Sequence, residues 1–447
     1  MKKKVLVLDR VYNVKYMKSD IFDVIVVCLS EKSKKSHLKE GLNVVACFDE
    51  EYDNLPVADY PGDYLVHSFD SDRCLKKFNF EKRREILGKE ISFWRNIFDT
   101  YHPDCIVNEV VTIELMEVMF IEAQKRAIPY YRWGLWPLTR LDIWVRDSPY
   151  DSRMSKEYWE GIDINDEDIK KANKYIEQVR NEGSKPFFLQ KTKESVIKKK
   201  TVSLWNYVVI IANHCIRTIT GYKGFYGLNY DEAKRTLYNK WCKLLYHKYD
   251  KMEFEKDIEY FFFPLHYEPE ATIEYFGYHF NDQVMLISRI SHCLKTNQKL
   301  IVKEHPQQKG ALMNKRYRKL KKIYPNLVYL PANKSSSKIF PNIKCLVTLT
   351  GTAGFESWIC KRPVIVFGEV FYKDFPGMIQ CDSFKQLYDI IRNDKYQVAD
   401  EETIIKYIAK MYHQVVEMFP NIKPGVSKAE DTQNITKQVE HLISDKN

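Results

Sequence analysis

Two short motifs in the C-terminal half of this 447-residue sequence carry residue types that could bind an anionic ligand. In the first, Lys303-Glu304-His305-Pro306, a cation, an acid and a histidine follow an apolar run, and a proline ends it. Lys303 and His305 could neutralise a phosphate or a carboxylate, and Glu304 could orient one of them. A lone histidine is usually structural, but the lysine two residues earlier favours an anion site.

The second motif is Thr350-Gly351-Thr352-Ala353-Gly354-Phe355-Glu356, where an apolar strand gives way to small residues and a helix begins. Free amides at a helix start, together with the hydroxyls of Thr350 and Thr352, form a cradle for an anion. Gly351 and Gly354 would let a phosphate approach the backbone closely. Glu356 would repel a phosphate, so ribose hydroxyls are its better partners. The simpler alternative is N-capping by Thr352.

Two further polar clusters follow predicted strands in the same half. His266, Glu268 and Glu270 leave one strand together and could contact sugar hydroxyls or transfer a proton. The alternative is that Glu270 caps the next helix. In the other cluster, Phe371 or Tyr372 could stack on a base or a sugar, or could pack between domains.

In the N-terminal half, Glu109 directly follows a predicted strand and is the best candidate for a general base that activates an acceptor hydroxyl. Arg132 and Trp133 end the next strand and could bind an anionic or sugar acceptor. We therefore predict Glu109 and His305 as catalytic residues. We predict donor binding by the residues that share the C-terminal clusters, namely His266, Glu268, Glu270, Lys303, Thr350, Gly351, Thr352, Gly354 and Glu356.

No metal or cofactor is predicted. The ten cysteines include no C-x-x-C pair and no Cys/His cluster at zinc spacing. The Asp-x-Asp triplets at 70–72 and 166–168 do not follow strands of the C-terminal half, so we interpret them as solvated loop or helix-start acids. The sequence also lacks the glycine-rich fingerprints of dinucleotide-binding and P-loop proteins at any strand–helix junction, which argues against a dehydrogenase or an NTPase.

These residues are positioned by strands that alternate with helices, which indicates parallel sheets with crossover connections. The predicted strands are 5–8, 23–29, 43–48, 105–108 and 130–133 in the first half, and 258–264, 299–303, 327–330, 345–350 and 363–367 in the second. The pattern predicts an α/β fold of two Rossmann-like domains that face a central cleft, the GT-B architecture. We predict an acceptor domain over 1–255 and a donor domain, with terminal helices, over 256–447.

The segment at about 150–255 is predicted to be mostly helical, either as an insertion or as the hinge-side part of the first domain. Within it, the lysine-rich stretch 191–200 precedes the apolar run 204–212. This run is half of the ~18 residues that a membrane span requires. A buried helix beside a charged connector is the favoured interpretation, and contact with an anionic membrane surface is the alternative.

The bulk properties favour a cytoplasmic protein with an anionic partner. The cysteines are scattered, and the apolar run after the basic N-terminus is too short for a signal peptide. The formal charge of +10 suits an anionic small substrate or an anionic membrane better than nucleic acid, because the lysines are dispersed and no nucleic-acid-binding motif occurs. A lysine-rich composition without functional meaning would give the same charge.

Residues 258–375 resemble the capsule polysaccharide biosynthesis family, which includes the bacterial β-Kdo transferases. The resemblance rests on the segment 264–270, on Lys303-Glu304-His305-Pro306, on the 350–356 motif and on 368–372, in that order and spacing. It implies a GT-B glycosyltransferase with a nucleotide-sugar donor. It further implies that Lys303, His305 and the 350–356 motif bind the cytidine monophosphate part of CMP-Kdo. Many members carry Gln at the position of His266, and this difference leaves the donor sugar open.

The predicted function is metal-independent transfer of a sugar from a nucleotide donor to a bacterial surface polysaccharide or glycolipid. The expected partners are the donor and the glycan or glycolipid acceptor, with peripheral contact to the inner membrane as a further possibility. Three alternatives stay open: a polyol-phosphate transferase of the teichoic-acid type, a sugar-nucleotide epimerase, and a non-catalytic glycan-assembly protein.

Overall fold

A computed structural model of the chain describes residues 2–9, 14, 17–65, 69, 71–134, 136–138, 141–148, 156–183, 208–209, 211–212, 215, 225–226, 229–246, 248–417 and 428–444. The strands are β1 Lys3–Leu8, β2 Phe22–Cys28, β3 Val44–Cys47, β4 Cys105–Asn108, β5 Tyr130–Gly134, β6 Leu141–Arg146, β7 Glu259–Pro264, β8 Gln298–Lys303, β9 Leu327–Leu330, β10 Cys345–Thr348, β11 Val364–Val366, β12 Met378–Gln380 and β13 Val416–Glu417.

The helices alternate with these strands through most of the chain. They are α1 Glu31–Lys39, α2 Phe48–Glu51, α3 Phe80–Tyr101, α4 Glu114–Lys125, α5 Lys156–Glu160, α6 Asp166–Glu182, α7 Asn229–Leu245, α8 Ala271–Glu274, α9 Gln283–Cys293, α10 Lys315–Ile323, α11 Thr352–Ile359, α12 Phe384–Arg392, α13 Glu401–Gln414 and α14 Lys428–Ser444. Short 3₁₀ turns lie at Tyr52–Asn54, Tyr278–Phe280, Ala311–Met313 and Phe340–Asn342.

The strands form two separate sheets. The first has the order β13-β6-β5-β4-β1-β2-β3, in which β1 to β5 are parallel and β6 and β13 join as antiparallel strands. The second has the order β12-β11-β10-β7-β8-β9 and is entirely parallel. Both parallel sets follow the doubly wound order 3-2-1-4-5. The predicted GT-B-like α/β fold, with two Rossmann-like domains, is therefore confirmed.

The central strands of both sheets are buried on both faces, as parallel strands covered by helices must be. In β1 the residues Val5 to Leu8 are completely buried, and Phe261 to Phe263 of β7 are equally so. These short runs of consecutive apolar residues are the feature that identified the strands in the sequence. Strands β6, β12 and β13 were not predicted. Strands β12 and β13 are edge strands of only three and two residues, whereas β6 contains the apolar run 143–145, which the sequence analysis missed.

The described parts of the middle segment contact both domains. Phe225 packs in the core of the first domain with Phe48 and Tyr52, whereas helices α5 and α6 pack against the second domain. Trp159 and Tyr175, from α5 and α6, share a core with Phe355 and Trp358 of α11. The Arg180 guanidinium also binds the Glu401 carboxylate at 2.8 and 2.9 Å, which ties α6 to α13. Amphipathic helices reveal that they have a buried face, but the partner of that face is set by the tertiary arrangement.

The last helix returns to the first sheet. The sequence analysis assigned all terminal helices to the second domain, but Ile435, Val439 and Ile443 of α14 pack with Val5 and Val7 of β1. Strand β13 likewise pairs with β6 of the first sheet. The chain therefore crosses between the domains a second time near its end.

Within the described part of the chain, no helix combines the length and the hydrophobicity needed to cross a bilayer. The run 204–212, predicted as a buried helix or a membrane contact, lies mostly outside the described residues. Val208 and Val209, which are described, are exposed.

Candidate functional site

A cavity of about 530 Å³ opens at the carboxyl ends of the strands of the second sheet. Most of its lining comes from the loops that follow β7, β8, β9, β10 and β11, and the first domain contributes Val110 and Arg132. A crevice at the carboxyl ends of doubly wound strands is the expected ligand site of such a fold. The loops after β7, β8 and β10 are the ones that carry the predicted polar clusters.

Lys303 is a buried cation at the end of β8, and it lines the cavity. Its ammonium group lies 3.3 Å from the carbonyl oxygen of Glu304. Burial lowers the pKa of Lys303, while the negative charges of Glu356 and Glu304 act in the opposite direction. A cation that is largely removed from water and faces a cavity interacts strongly with any anion that enters.

The Glu304 carboxylate shapes the loop after β8. Its Oε1 accepts hydrogen bonds from the Tyr249 hydroxyl at 2.8 Å and from the amides of Gly310 and Leu312 at 3.0 Å each. Its Oε2 is buried and has no hydrogen-bond partner among the described residues. Glu304 therefore holds the loop with one oxygen and retains a second acceptor beside the cavity that it lines.

The His305 ring is neutral at physiological pH. Burial and the adjacent Lys303 charge lower its pKa to about 4. Its Nδ1 accepts the Gln307 amide at 3.3 Å, so the proton of the neutral ring is on Nε2. In this state His305 offers a neutral N–H donor and not the second cation that the sequence suggested. An anion bound against the ring would raise this pKa.

The buried side chain of His266 forms hydrogen bonds that hold the loop after β10 in place. Its Nε2 accepts the Thr350 amide at 3.1 Å, and its Nδ1 lies 3.4 Å from Oε1 of Gln283. Burial lowers the pKa of His266 to about 4, so the ring is neutral, with its proton on Nδ1. His266 also lines the cavity, but both of its nitrogens already face protein groups. Its geometry is that of a residue that positions the Thr350 loop.

Helix α11 begins at the cavity with two amides, of Thr352 and Ala353, that have no hydrogen-bond partner among the described residues. Both residues line the cavity, as does Thr350, whose hydroxyl is buried without a partner. The N-cap position is Gly351, with no capping side chain, so the alternative of N-capping by Thr352 is wrong. Unpaired amides and a helix dipole that point into a cavity favour an anion.

The two glycines of this motif are explained by protein packing. A Cβ on Gly354 would lie 2.5 Å from the Tyr372 hydroxyl, and one on Gly351 would lie 3.0 Å from Oγ1 of Thr348. The Tyr372 hydroxyl donates a hydrogen bond to the Gly351 carbonyl at 2.5 Å. Protein packing is thus one sufficient reason for both glycines. Gly351 also lines the cavity, and the predicted approach of a phosphate to these glycines stays a prediction.

The three predicted donor-site carboxylates separate in the structure. Glu270 and Glu356 line the cavity, whereas Glu268 does not and instead pairs with Arg235 at 2.8 Å. Burial raises the pKa of Glu270, against the opposing influence of a Thr272 hydrogen bond and the Arg73 charge.

The first-domain candidates are only partly brought to the cavity. Arg132 is fully buried and lines it. Glu109 is partly buried at the end of β4, next to the lining residue Val110, but is not itself part of the described lining. Trp133 belongs to β5, and its side chain lies outside the described residues.

The described residues of the two Asp-x-Asp triplets, 71–72 and 166–168, do not line the cavity. Asp72, predicted to be solvated, is buried, and its Oδ2 accepts the Glu114 amide at 2.6 Å at the start of α4. Asp168 lies at the start of α6 as predicted, but it is buried and not solvated. Its Oδ2 accepts the amide of the N-cap residue Asn165 at 3.2 Å in a capping box. One group of potential metal ligands occurs among the described residues, Asp9, Cys28 and His37, with ligand atoms within 4.8 Å of one another. It lies at the ends of β1 and β2 in the first domain.

The loop after β9 was missed by the sequence analysis. It contributes the cavity-lining residues Lys334, Ser335, Ser336 and Ser337. The signal was available, because this polar run follows a predicted strand as the other clusters do. The aromatic residues Phe371 and Tyr372 line the cavity but are buried, and Phe371 packs against Trp136 with ring centroids 6.0 Å apart. This contact agrees with packing between the domains.

Residues 159–409 match the family model described as "Capsule polysaccharide biosynthesis protein". The match covers more than half of the chain. The chain belongs to this family. The predicted family resemblance is therefore confirmed. A search of curated proteins found no match.

Solved structures of similar architecture include KpsC of Thermosulfurimonas dismutans, named as a beta Kdo 2,7 transferase. It is 12% identical over 94% of this chain and 99% of that chain, with a TM-score of 0.37. A second KpsC structure, named as a beta Kdo 2,4 transferase, is 11% identical over 77% of this chain and 88% of that chain, and its TM-score is also 0.37. The S. aureus MnaA–UDP complex is 10% identical over 99% of this chain and 97% of that chain, with a TM-score of 0.30. At these scores the likeness carries no argument about activity.

Proposed function

We propose that this member of the capsule polysaccharide biosynthesis family transfers a sugar from a nucleotide-activated donor to a bacterial surface polysaccharide or glycolipid. The observation that supports this is the convergence of Lys303, His305 and the free amides of Thr352 and Ala353 on one cavity. These groups suit a phosphate. CMP-Kdo, the donor that the family resemblance implies, is the first candidate.

The donor phosphate would bind at the start of α11, where the two amides, the Thr350 hydroxyl and the Lys303 ammonium supply donors and positive charge. The His305 N–H would bind a phosphate oxygen and stabilise the charge that develops on the leaving nucleotide. Hydroxyl groups of the ribose would donate to Glu356 and to the unpaired Oε2 of Glu304. Each of these groups then meets a complementary part of a nucleotide sugar.

The acceptor would approach from the first domain, whose Arg132 lines the same cavity. A carboxylate must remove the proton of the acceptor hydroxyl as the new glycosidic bond forms. Glu109 is our candidate for this general base, and Glu270 is the alternative, because Glu270 lines the cavity and has a raised pKa. A kcat that falls about 100-fold or more in only one of Glu109→Gln and Glu270→Gln would identify the base.

We propose that the transfer needs no metal ion, since Lys303 and the α11 amides already supply positive charge for the phosphate. Turnover that survives treatment with a chelator is the expected result. Turnover that is lost with chelator and restored by a divalent cation would contradict this part of the proposal.

The direct test is thermal stabilisation of the protein by CMP, UDP, GDP and CDP-glycerol, measured in parallel. One of the three nucleotides should raise the melting temperature, because it binds only the folded state. His305→Ala should remove this shift and leave the melting temperature of the free protein nearly unchanged. Stabilisation by CDP-glycerol alone would favour the polyol-phosphate transferase, and no response to any of the four would favour a non-catalytic protein.

A further inference from the structure

A row of exposed apolar side chains runs along helix α7. Trp241 is 61% exposed, Leu244 is 68% exposed and Leu245 is 54% exposed, and Tyr238 is also exposed one turn earlier. The opposite face of the helix is buried through Asn239 and Cys242. An amphipathic helix normally presents polar residues to solvent, so this outward apolar row is anomalous for a helix that faces only water.

Helix α10 lies beside this row and is strongly basic. The Arg318 guanidinium stacks 3.4 Å from the ring centroid of Tyr246, the residue that follows α7. Cys242 of α7 and Leu320 of α10 also share one core cluster, so the two helices are fixed relative to each other. The aromatic and aliphatic row therefore has a cationic neighbour in a rigid arrangement.

Three lysines of α10 are exposed and form no ion pair among the described residues: Lys315, Lys319 and Lys322. Their spacing of four and three residues places them on one face of the helix. The other cations of α10 differ, since Arg316 pairs with Asp282 and Lys321 pairs with Asp250. The three lysines therefore remain outside the ion pairs that α10 forms among the described residues.

We infer that this α7–α10 surface, formed by Tyr238, Trp241, Leu244 and Leu245 together with Lys315, Lys319 and Lys322, docks on an anionic lipid bilayer. Apolar side chains that include a tryptophan enter the boundary between headgroups and acyl chains, and lysines beside them bind anionic headgroups. A second copy of the chain is disfavoured as occupant, because its identical lysines would repel. This inference concerns where the protein works and stands independently of the proposed reaction.

The docking surface is connected to the cavity. Arg235 of α7 binds the Glu268 carboxylate in the loop after β7 at 2.8 Å, two residues from the cavity-lining Glu270. On the other side, the backbone of Asn239 packs against Gly310, whose amide is held by Glu304. A bilayer at α7 and α10 would consequently lie next to the loops that line the cavity, where a lipid-linked acceptor would be within reach.

The test is co-sedimentation of the full chain with vesicles of pure phosphatidylcholine and of an equimolar mixture with phosphatidylglycerol. We expect binding to the anionic vesicles, weakened by salt. The triple variant Lys315→Gln/Lys319→Gln/Lys322→Gln should lose about fivefold in partitioning per lysine, or about 100-fold in all. The triple variant Trp241→Ser/Leu244→Ser/Leu245→Ser should abolish binding to the anionic vesicles.

The matched control is Lys170→Gln/Lys171→Gln/Lys174→Gln on α6, which changes the net charge equally at exposed positions outside the surface. It should lose less than about threefold in partitioning, through the net charge alone. Absence of binding to anionic vesicles would overturn the inference, as would an equal loss in the control. Light scattering tests the alternative occupant, a second copy of the chain. If wild type is a dimer, the serine variant is a monomer and neither binds vesicles, the surface mediates self-association and the inference is overturned.

Discussion

Replacement of His266 offers a quantitative test of the loop that carries the candidate donor site. The buried, neutral ring accepts the Thr350 amide and so depends on remaining unprotonated. His266→Gln retains a side-chain acceptor but does not titrate, whereas His266→Ala removes the acceptor. Comparison of the two variants separates the hydrogen bond from the protonation equilibrium.

The magnitude follows from the pKa difference between the folded and unfolded states. His266 titrates at about 4 in the folded protein, against 6.5 as its reference value. Because the folded pKa is lowered, the unfolded chain takes up the proton first, and stability is lost as the pH falls from 6.5 to about 4. Between pH 7 and pH 5 this linkage costs wild type about 2 kcal/mol, and His266→Gln should be spared that loss.

The assay is urea unfolding at both pH values, followed by tryptophan fluorescence. Other titrating groups are common to both proteins, so the difference between wild type and His266→Gln isolates the histidine. At pH 7, His266→Ala should be less stable than His266→Gln by about 1–3 kcal/mol, because the Thr350 amide loses its acceptor. An equal loss of stability on acidification in wild type and His266→Gln would refute the burial of a neutral ring at this position.

Three further predictions concern the lining of the cavity. Lys303→Met should weaken nucleotide binding by at least about tenfold, measured by calorimetry, since a charge-assisted contact to phosphate is lost; unchanged affinity would exclude Lys303 from the phosphate site. Gly354→Ala should lower the free energy of unfolding by about 1–3 kcal/mol because its Cβ would lie 2.5 Å from the Tyr372 hydroxyl. Tyr372→Phe in the same chain should restore part of that loss, and no recovery would show that the hydroxyl is not the obstacle. If Glu270 and not Glu109 is the general base, Glu270→Gln should remove the ionisation with the raised pKa from the pH–rate profile while nucleotide affinity is kept; an unaltered profile would exclude Glu270 as the base.

Local structure was largely predictable from the sequence, because short-range patterns encode it. The strands Cys105–Asn108 and Leu327–Leu330 have the predicted bounds, because a short buried run of apolar residues identifies such a strand without knowledge of its tertiary partner. The edge strands β12 and β13 are different. They have three and two residues, and their pairing depends on the neighbouring strand, so their own residues carry little signal.

The sequence predicted which loops form the candidate site, but it predicted less well what each side chain in those loops contacts. Parallel strands bring their carboxyl ends to one edge, which is why Lys303, His305, Thr350 and Glu356 meet in one cavity. Whether a side chain faces the cavity or another protein group was not encoded locally. Glu268 pairs with Arg235, and only the folded chain brings these two residues together.

By itself, the sequence determined the two-sheet α/β fold, the family and the strand ends at which polar residues collect, because all three depend on short-range patterns and motif order. Only the tertiary structure decided that α5 and α6 pack on the second domain, that α14 returns to the first, and that His266 and His305 are neutral. The physical reason is common to these cases. The packing partner of a helix and the burial of a histidine ring depend on residues far away in the sequence, and only the folded chain brings those residues together.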